Sequence, residues 1–260
     1  MRISKVLRKL RNNQVARICA TAHYIPYLPH LAAKFGYDGV WVDAEHHNWN
    51  PREIEAMMAH HQLADIDCLW RTPTREKSGL ARLLEDGATA LMIPQVNTAD
   101  CVRQLVTATK FPPLGDRGID GSGMDAGFWV NKPDDYVQRA NRETFLIVQI
   151  ETVQAVQNAE AIAGVEGVDV VFVGPGDLSL RLGCNGSLQD PKLRAALDTI
   201  IAACKKHGKP WGYPVATIED AKLVVDMGCR FLVLGHEFWA IHNALKNCGT
   251  QLDELLGASE

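Results

Sequence analysis

The residues with chemistry to offer stand at the ends of apolar runs. Glu151 follows FLIVQI at 145–150, and Asp177 follows VVFVGPG at 170–176. A carboxylate in such a place is costly to bury without a partner. Two carboxylates brought together repel unless one is protonated or a cation lies between them. Taken singly, Glu151 could open the next helix, since acids favour a first turn, and Asp177 could cap a turn at 178–182. As a pair at matching strand ends they read as ligands of one divalent ion. Hard oxygen donors without a Cys or a His pair suit Mg2+ or Mn2+, with other divalent ions such as Co2+ admissible, and water and substrate oxygens complete the octahedron.

A second set is Asp43-Ala44-Glu45-His46 together with Arg71. A histidine titrates near neutrality, and one steered by a carboxylate is the usual general base. Asp43 is therefore expected to orient His46. Arg71 offers a planar, permanently charged fork for a substrate carboxylate or a developing enolate. The bland alternative for His46 is a surface histidine beside a helix cap. His47 and His236 also fall near strand ends and stay open, whereas His23, His30, His60, His61, His207 and His242 read only as surface histidines.

These side chains need a frame that brings strand ends together. Short apolar runs recur at 16–20, 39–43, 68–71, 90–94, 144–150, 168–173, 211–213 and 231–234. Continuous apolar character is expected of strands buried on both faces of a parallel sheet. Helix signals lie between them. Asn50-Pro51-Arg52-Glu53 supplies an N-cap, a proline at the first position and an acid three residues on. Asp190-Pro191 repeats that start, with Lys205, Lys206, His207 and Gly208 as a stop, and Thr217 and Asp220 open a further helix that Gly228 closes.

Eight such alternations in 260 residues predict an α/β fold, a (β/α)8 TIM barrel occupying 1–260 as one domain, since such barrels typically run about 250 residues. A doubly wound sheet would need a nucleotide loop, and neither GxGxxG after an early strand nor GxxxxGK[ST] occurs. Active sites of barrels form at the C-terminal ends of the strands, where Asp43, Arg71, Gln149, Glu151, Asp177 and His236 all fall.

Composition narrows the partners. With 27 basic and 31 acidic residues the net charge is −4, so nothing favours nucleic acid or an anionic membrane. Seven scattered cysteines without a CxxC pair indicate reduced thiols and a cytoplasmic location. The basic start MRISKVLRKLRNNQ lacks an apolar core, so no secretory signal is expected, and no run reaches membrane-spanning length. The glycine-rich segment from Gly115 to Gly127 carries Asp116, Asp120 and Asp125, which suit a lid or subunit contact better than a phosphate cradle. The six tryptophans share no spacing and read as packing residues.

VDAEHH at 42–47, RTP at 71–73, EDGATALMIPQV at 85–96, FPPLGDRG at 111–118, VQIET at 148–152 and VEGVDVVFVGPGDLS at 165–179 resemble the HpcH/HpaI aldolases. These are metal-dependent pyruvate aldolases on the phosphoenolpyruvate/pyruvate barrel. The resemblance implies that Glu151 and Asp177 ligate the ion and that backbone around Gly174, Pro175 and Gly176 holds the substrate carboxylate, with Gln149 alongside. It implies that Arg71 stabilises the enolate and that His46, paired with Asp43, manages the proton. The expected reaction is cleavage of a 4-hydroxy-2-oxo acid, a 2-dehydro-3-deoxy sugar acid or a hydroxy-oxo diacid, to pyruvate and an aldehyde. No Schiff-base lysine stands at the strand ends, which agrees with a metal route.

The resemblance also implies a homo-oligomer, often a hexamer, with a last helix at about 237–256 packing on a neighbouring barrel. Gly176, the first strand at 16–19, the 118–129 segment and Leu234-Gly235-His236-Glu237 depart from the usual pattern and are expected to shape the aldehyde pocket. An acyl-CoA lyase or another pyruvate or phosphoenolpyruvate enzyme on this barrel would call for a basic CoA surface. A catalytically silent metal-binding barrel would have no use for the intact set Asp43, His46, Arg71, Glu151 and Asp177.

Overall fold

The computed structural model describes residues 2–257. Eight strands, β1 (Ala16–Thr21), β2 (Gly39–Asp43), β3 (Asp67–Arg71), β4 (Ala90–Ile93), β5 (Phe145–Ile150), β6 (Val170–Val173), β7 (Trp211–Val215) and β8 (Phe231–His236), pair in parallel and in sequence order into a closed barrel. The first helices are α1 (Lys5–Arg11), α2 (Leu28–Lys34), α3 (Pro51–Leu63), α4 (Lys77–Glu85), α5 (Ala99–Thr109) and α6 (Tyr136–Glu143). After β5 come α7 (Val153–Gln157), α8 (Ala159–Ala163), α9 (Pro175–Leu182), α10 (Pro191–Lys206), α11 (Ile218–Asp226) and α12 (Glu237–Leu256). The expected (β/α)8 barrel is thus the observed fold.

Alternate residues of each strand fill the interior. Ile18, Leu69, Met92, Ile147, Phe172 and Val233 belong to one buried cluster, while their strand neighbours Val40, Trp70, Leu91, Leu146 and Val171 pack outward under the helices. Both faces are dry, so the strands read as unbroken apolar runs. Continuing the inward phase towards the C-terminal end places Asp43 two residues after Trp41, Arg71 after Leu69, Gln149 and Glu151 after Ile147, and Gly174 after Phe172. The strand phase therefore aims these polar groups at one mouth.

The opposite end is plugged. α1, which the apolar pattern did not announce, buries Val6 and Leu7 against the interior cluster. The fully buried Asp67 carboxylate accepts from Ser4 Oγ at 2.5 Å and from the Val6 N–H at 2.9 Å, fixing the start of that helix.

Helix starts follow the expected caps. Asn50 and Glu53 make a reciprocal capping box with Pro51 at the first position, and the side chains of Asp190 and Thr217 accept from the first turns of α10 and α11. β7 runs past its expected 211–213 because Pro214 and Val215 keep pairing with β8, and β8 runs past 231–234 because His236 meets Ala20 after a register shift in β1. Gly235 takes φ +103° there, a conformation that favours glycine. Trp49 and Trp70 pack edge to face at 5.3 Å as expected, but Trp129 and Trp239 are exposed. The 115–127 segment is pinned by the buried pair Arg117–Asp125 at 2.8 Å, and Asp125 also accepts the Tyr136 hydroxyl. All seven cysteines are free thiols. Among the described residues no helix is long and apolar enough to cross a membrane.

Candidate active site

Glu151 directly follows β5 and is 2% exposed. Its Oε1 accepts the Gln95 backbone N–H at 2.7 Å, and its Oε2 accepts from Gln149 Nε2 at 3.2 Å. Gln95 presents that N–H from a left-handed backbone, φ +52°. Non-glycine residues pay strain in that region, which tends to be kept where geometry serves a site. Burial pushes the Glu151 carboxyl above its ordinary range. The Gln95 N–H opposes that shift, the neighbouring negative charges of Glu45 and Asp177 add to it, and Arg71 partly offsets it.

Gly174 makes room for this carboxylate. A Cβ built on Gly174 would stand 2.3 Å from Glu151 Oε2 and 3.3 Å from Gln149 Nε2. The Gly174 N–H is already given to the Ile150 carbonyl at 3.2 Å. Of the expected Gly174-Pro175-Gly176 cradle, this leaves Gly176 as the free N–H donor, since proline has none. Gly176 lies in the first turn of α9, whose N–H groups have no intrahelical acceptor and carry the positive end of the helix dipole.

Asp177 sits in the same turn, half-exposed, with Arg181 Nη1 2.5 Å from its Oδ1. The same Arg181 nitrogen donates to the Glu151 carbonyl at 3.1 Å, so one guanidinium ties both candidate ligands together. The i,i+4 spacing of Asp177 and Arg181 on a helix is the signal that could have revealed this residue.

At the end of β3, Arg71 binds Asp43 through two bonds, Nε to Oδ1 at 2.9 Å and Nη2 to Oδ2 at 2.7 Å. Its Nη1 lies 3.0 Å from Glu45 Oε2, and its charged carbon stacks 4.6 Å over the Trp41 ring. Burial would raise the Asp43 carboxyl, but the hydrogen bond and charge of Arg71, with the Glu45 N–H, bring it below its ordinary range.

The expected Asp43–His46 pair is therefore replaced by Asp43–Arg71. The chain turns sharply after β2, with the Glu45 N–H on Asp43 Oδ1, and carries His46 outwards. Its side chain is 58% exposed, and Nε2 stands 3.6 Å from Glu45 Oε2. His47 Nδ1 is the imidazole atom nearest Asp43, 3.5 Å from Oδ2, too far for a good hydrogen bond. Nor is the fork of Arg71 wholly open to substrate: one edge is committed to Asp43 and Nη1 contacts Glu45, which leaves the N–H groups of Nη1 and Nη2 that these carboxylates do not take. Glu45, Gln95 and Arg181 are the residues that sequence reasoning left without a role.

The family model for "HpcH/HpaI aldolase/citrate lyase" matches residues 23–244, which span every one of these groups. The chain belongs to that family. A 4-hydroxy-2-oxo-heptane-1,7-dioate aldolase of Escherichia coli is 35% identical over 213 residues, 80% of this chain and 79% of its own. A hydroxypyruvate/pyruvate aldolase of Delftia acidovorans is 36% identical over 229 residues, covering 86% and 83%. The crystal structure of an HpcH/HpaI aldolase from Desulfitobacterium hafniense shares the fold at TM-score 0.89 and 31% identity, over 97% of this chain and 98% of that one. This family member is a carbon–carbon lyase.

Its donor set fits a hard divalent cation. Glu151 and Asp177 supply carboxylate oxygens, Glu151 is crowded by negative charge, and the buried Gln149 Oε1 has no hydrogen-bond partner. Among the described residues no three His, Cys, Asp or Glu side chains form a ready-made metal cluster. Two protein carboxylates, with the other positions left to water and substrate, are how Mg2+ is usually held.

Proposed function

We propose that this lyase is a divalent-metal-dependent pyruvate aldolase that cleaves a 4-hydroxy-2-oxo acid to pyruvate and an aldehyde, and runs the addition in reverse. The observation that carries the reading is the convergence of two charged groups at one mouth. One is the crowded Glu151–Asp177 carboxylate pair, and the other is Arg71, held by Asp43 and close enough for its charge to act on Glu151. The names of the relatives agree with it: the Escherichia coli protein is an aldolase of a 4-hydroxy-2-oxo acid, and the Delftia protein is a hydroxypyruvate/pyruvate aldolase.

Mg2+ or Mn2+ held by Glu151 and Asp177 would supply the Lewis acidity that an enolate requires. The chain's own groups do the rest. The Gly176 N–H, at the positive end of α9, receives the substrate carboxylate. Arg71 offers its remaining N–H groups to the oxygen on which charge develops as the C3–C4 bond breaks. Asp43 keeps that guanidinium fixed, so no reorganisation is needed during the reaction. His46 stands beside Glu45 at the rim and takes the proton of the C4 hydroxyl through water, and a proton later returns to C3 of the enolate. Gln149 and the Gln95 N–H hold Glu151 in place.

We also infer one barrel domain, a cytoplasmic location and a homo-oligomer. α12 runs for 20 residues with only Glu237 buried, leaving Trp239, Leu245 and Leu252 exposed for a neighbouring copy.

The test is exchange of the pyruvate C3 protons in D2O, followed by NMR with Mg2+ or Mn2+ and with EDTA. Exchange should depend on the metal and be lost in Glu151→Gln. Exchange that persists through chelation, or a fully active Glu151→Gln protein, would refute the metal role.

A further inference from the structure

Arg75 lies exposed on the loop between β3 and α4. Its Nη2 donates to two carbonyls of the loop between β4 and α5, Pro94 O at 3.1 Å and Gln95 O at 2.9 Å, which takes both hydrogens of that nitrogen. Its Nη1 donates to Cys101 Sγ at 3.3 Å, in the first turn of α5. One guanidinium thus fixes the two backbone oxygens on either side of the Gln95 α-carbon.

Those oxygens belong to the two peptide groups whose other edges serve the candidate site. A trans peptide is planar and holds its C=O and N–H on opposite edges. The Pro94–Gln95 peptide gives its oxygen to Arg75 and its N–H to Glu151 Oε1 at 2.7 Å. The Gln95–Val96 peptide gives its oxygen to Arg75 and its N–H to the Gln149 carbonyl at 3.2 Å. Arg75 therefore stands behind both planes and sets the direction in which each N–H points. A cation on the oxygen also polarises the peptide group, which strengthens its N–H as a donor to a carboxylate.

Gln95, between the two planes, has φ +52°. A residue with a side chain occupies that region at a cost and keeps it only where its surroundings hold it. The Gln95 side chain is exposed, so the restraint comes through the backbone. Pro94, with its ring-locked φ, and the fully buried Val96 hold the flanks, and Arg75 holds the residue between them.

We propose that Arg75 is a positioning residue for the ligand carboxylate of Glu151: it locks the left-handed Gln95, whose N–H keeps that carboxylate in its ligating place. The inference rests on the metal-dependent reading above.

The experiment is titration of the full-length protein with Mn2+ alone, the electron paramagnetic resonance signal of the free ion giving Kd. Loss of a positive charge near a cation site would by itself tighten binding. The variants are therefore Arg75→Ala and Arg75→Lys, the second of which keeps the charge without the planar fork. Each should weaken Mn2+ binding by about tenfold, the scale seen when a group that orients a metal ligand is removed. Gln95→Gly keeps the N–H and takes the left-handed conformation freely, so on that background the same substitutions should cost much less. A Kd that both Arg75 variants leave unchanged or tighten overturns the proposal. So does a loss as large on the Gln95→Gly background as in the wild type, which would make Arg75 a plain tie between two loops. Titrations of the wild type and of Glu151→Gln separate the two levels. Where the wild type binds Mn2+ and Glu151→Gln binds it more weakly, those results remove the role of Arg75 alone. Where the wild type does not bind, or Glu151→Gln binds equally well, the metal reading falls first and takes the role of Arg75 with it.

Discussion

Glu151 Oε2 occupies the place that a side chain on Gly174 would need, 2.3 Å from the position of its Cβ. The glycine at the end of β6 is thus a packing requirement of the carboxylate at the end of β5. Gly174→Ala must push Glu151 off the Gln95 N–H and Gln149. We expect a stability cost of about 1–3 kcal/mol for the overpacking and a loss in kcat/KM of about 100-fold, the scale of an ångström-level displacement in a catalytic site. Gly176, whose Cβ would meet nothing within 4 Å, should tolerate alanine with a far smaller loss. Steady-state kinetics on both variants with thermal melts checks this, and equal losses would contradict it.

The Asp43–Arg71 pair leads to a second expectation. Arg71→Lys keeps the positive charge but cannot hold Asp43 through two parallel bonds while facing substrate. We expect kcat/KM to fall by about 100-fold or more, as when a preorganised donor to a developing oxyanion is lost. Asp43→Asn should lose activity in the same direction, by loosening Arg71. If the double variant is no worse than the worse single one, the two act as a unit. Additive losses would mean that Asp43 has a separate role, such as steering a histidine.

The barrel was legible because burial on both strand faces leaves unbroken apolar runs, and because capping signals such as Asn50-Pro51-Arg52-Glu53 separate them. The polar strand ends were legible for the same reason: Asp43, Arg71, Gln149 and Glu151 interrupt apolar patterns at the inward phase. What the sequence hid was partner choice. Whether Asp43 meets His46 or Arg71 depends on the turn after β2, which the Glu45 N–H closes on Asp43 itself. The left-handed Gln95 and the commitment of the Gly174 N–H to Ile150 are backbone facts with no signature in residue type.

His61 on α3 is buried, with Nδ1 2.7 Å from the Met57 carbonyl and Nε2 without a partner. Burial pushes its pKa from 6.5 down to about 4. Between those values the unfolded chain holds a proton that the native state does not, so stability rises with pH across that window. Lowering the pH from 6.5 towards 4 should therefore cost up to about 1.4 kcal/mol per unit from this group. Denaturant melts at stepped pH should show a shallower acid decline in His61→Gln than in the wild type. Parallel declines would assign the acid sensitivity to other groups.

α12 makes the last expectation. Its exposed apolar residues include Phe238, Trp239, Ile241, Leu245 and Leu252, a concentration that a lone barrel would leave in water. Sedimentation of the wild-type protein should give a species of several chain masses. Leu245→Glu combined with Leu252→Glu places charges on that face, and burying them against a neighbour would cost several kcal/mol. The variant should shift towards monomer with its far-ultraviolet circular dichroism unchanged, because neither residue contributes to the buried barrel core. A wild-type protein that sediments as a monomer, or a double variant that assembles as the wild type does, would show that this face is covered in some other way.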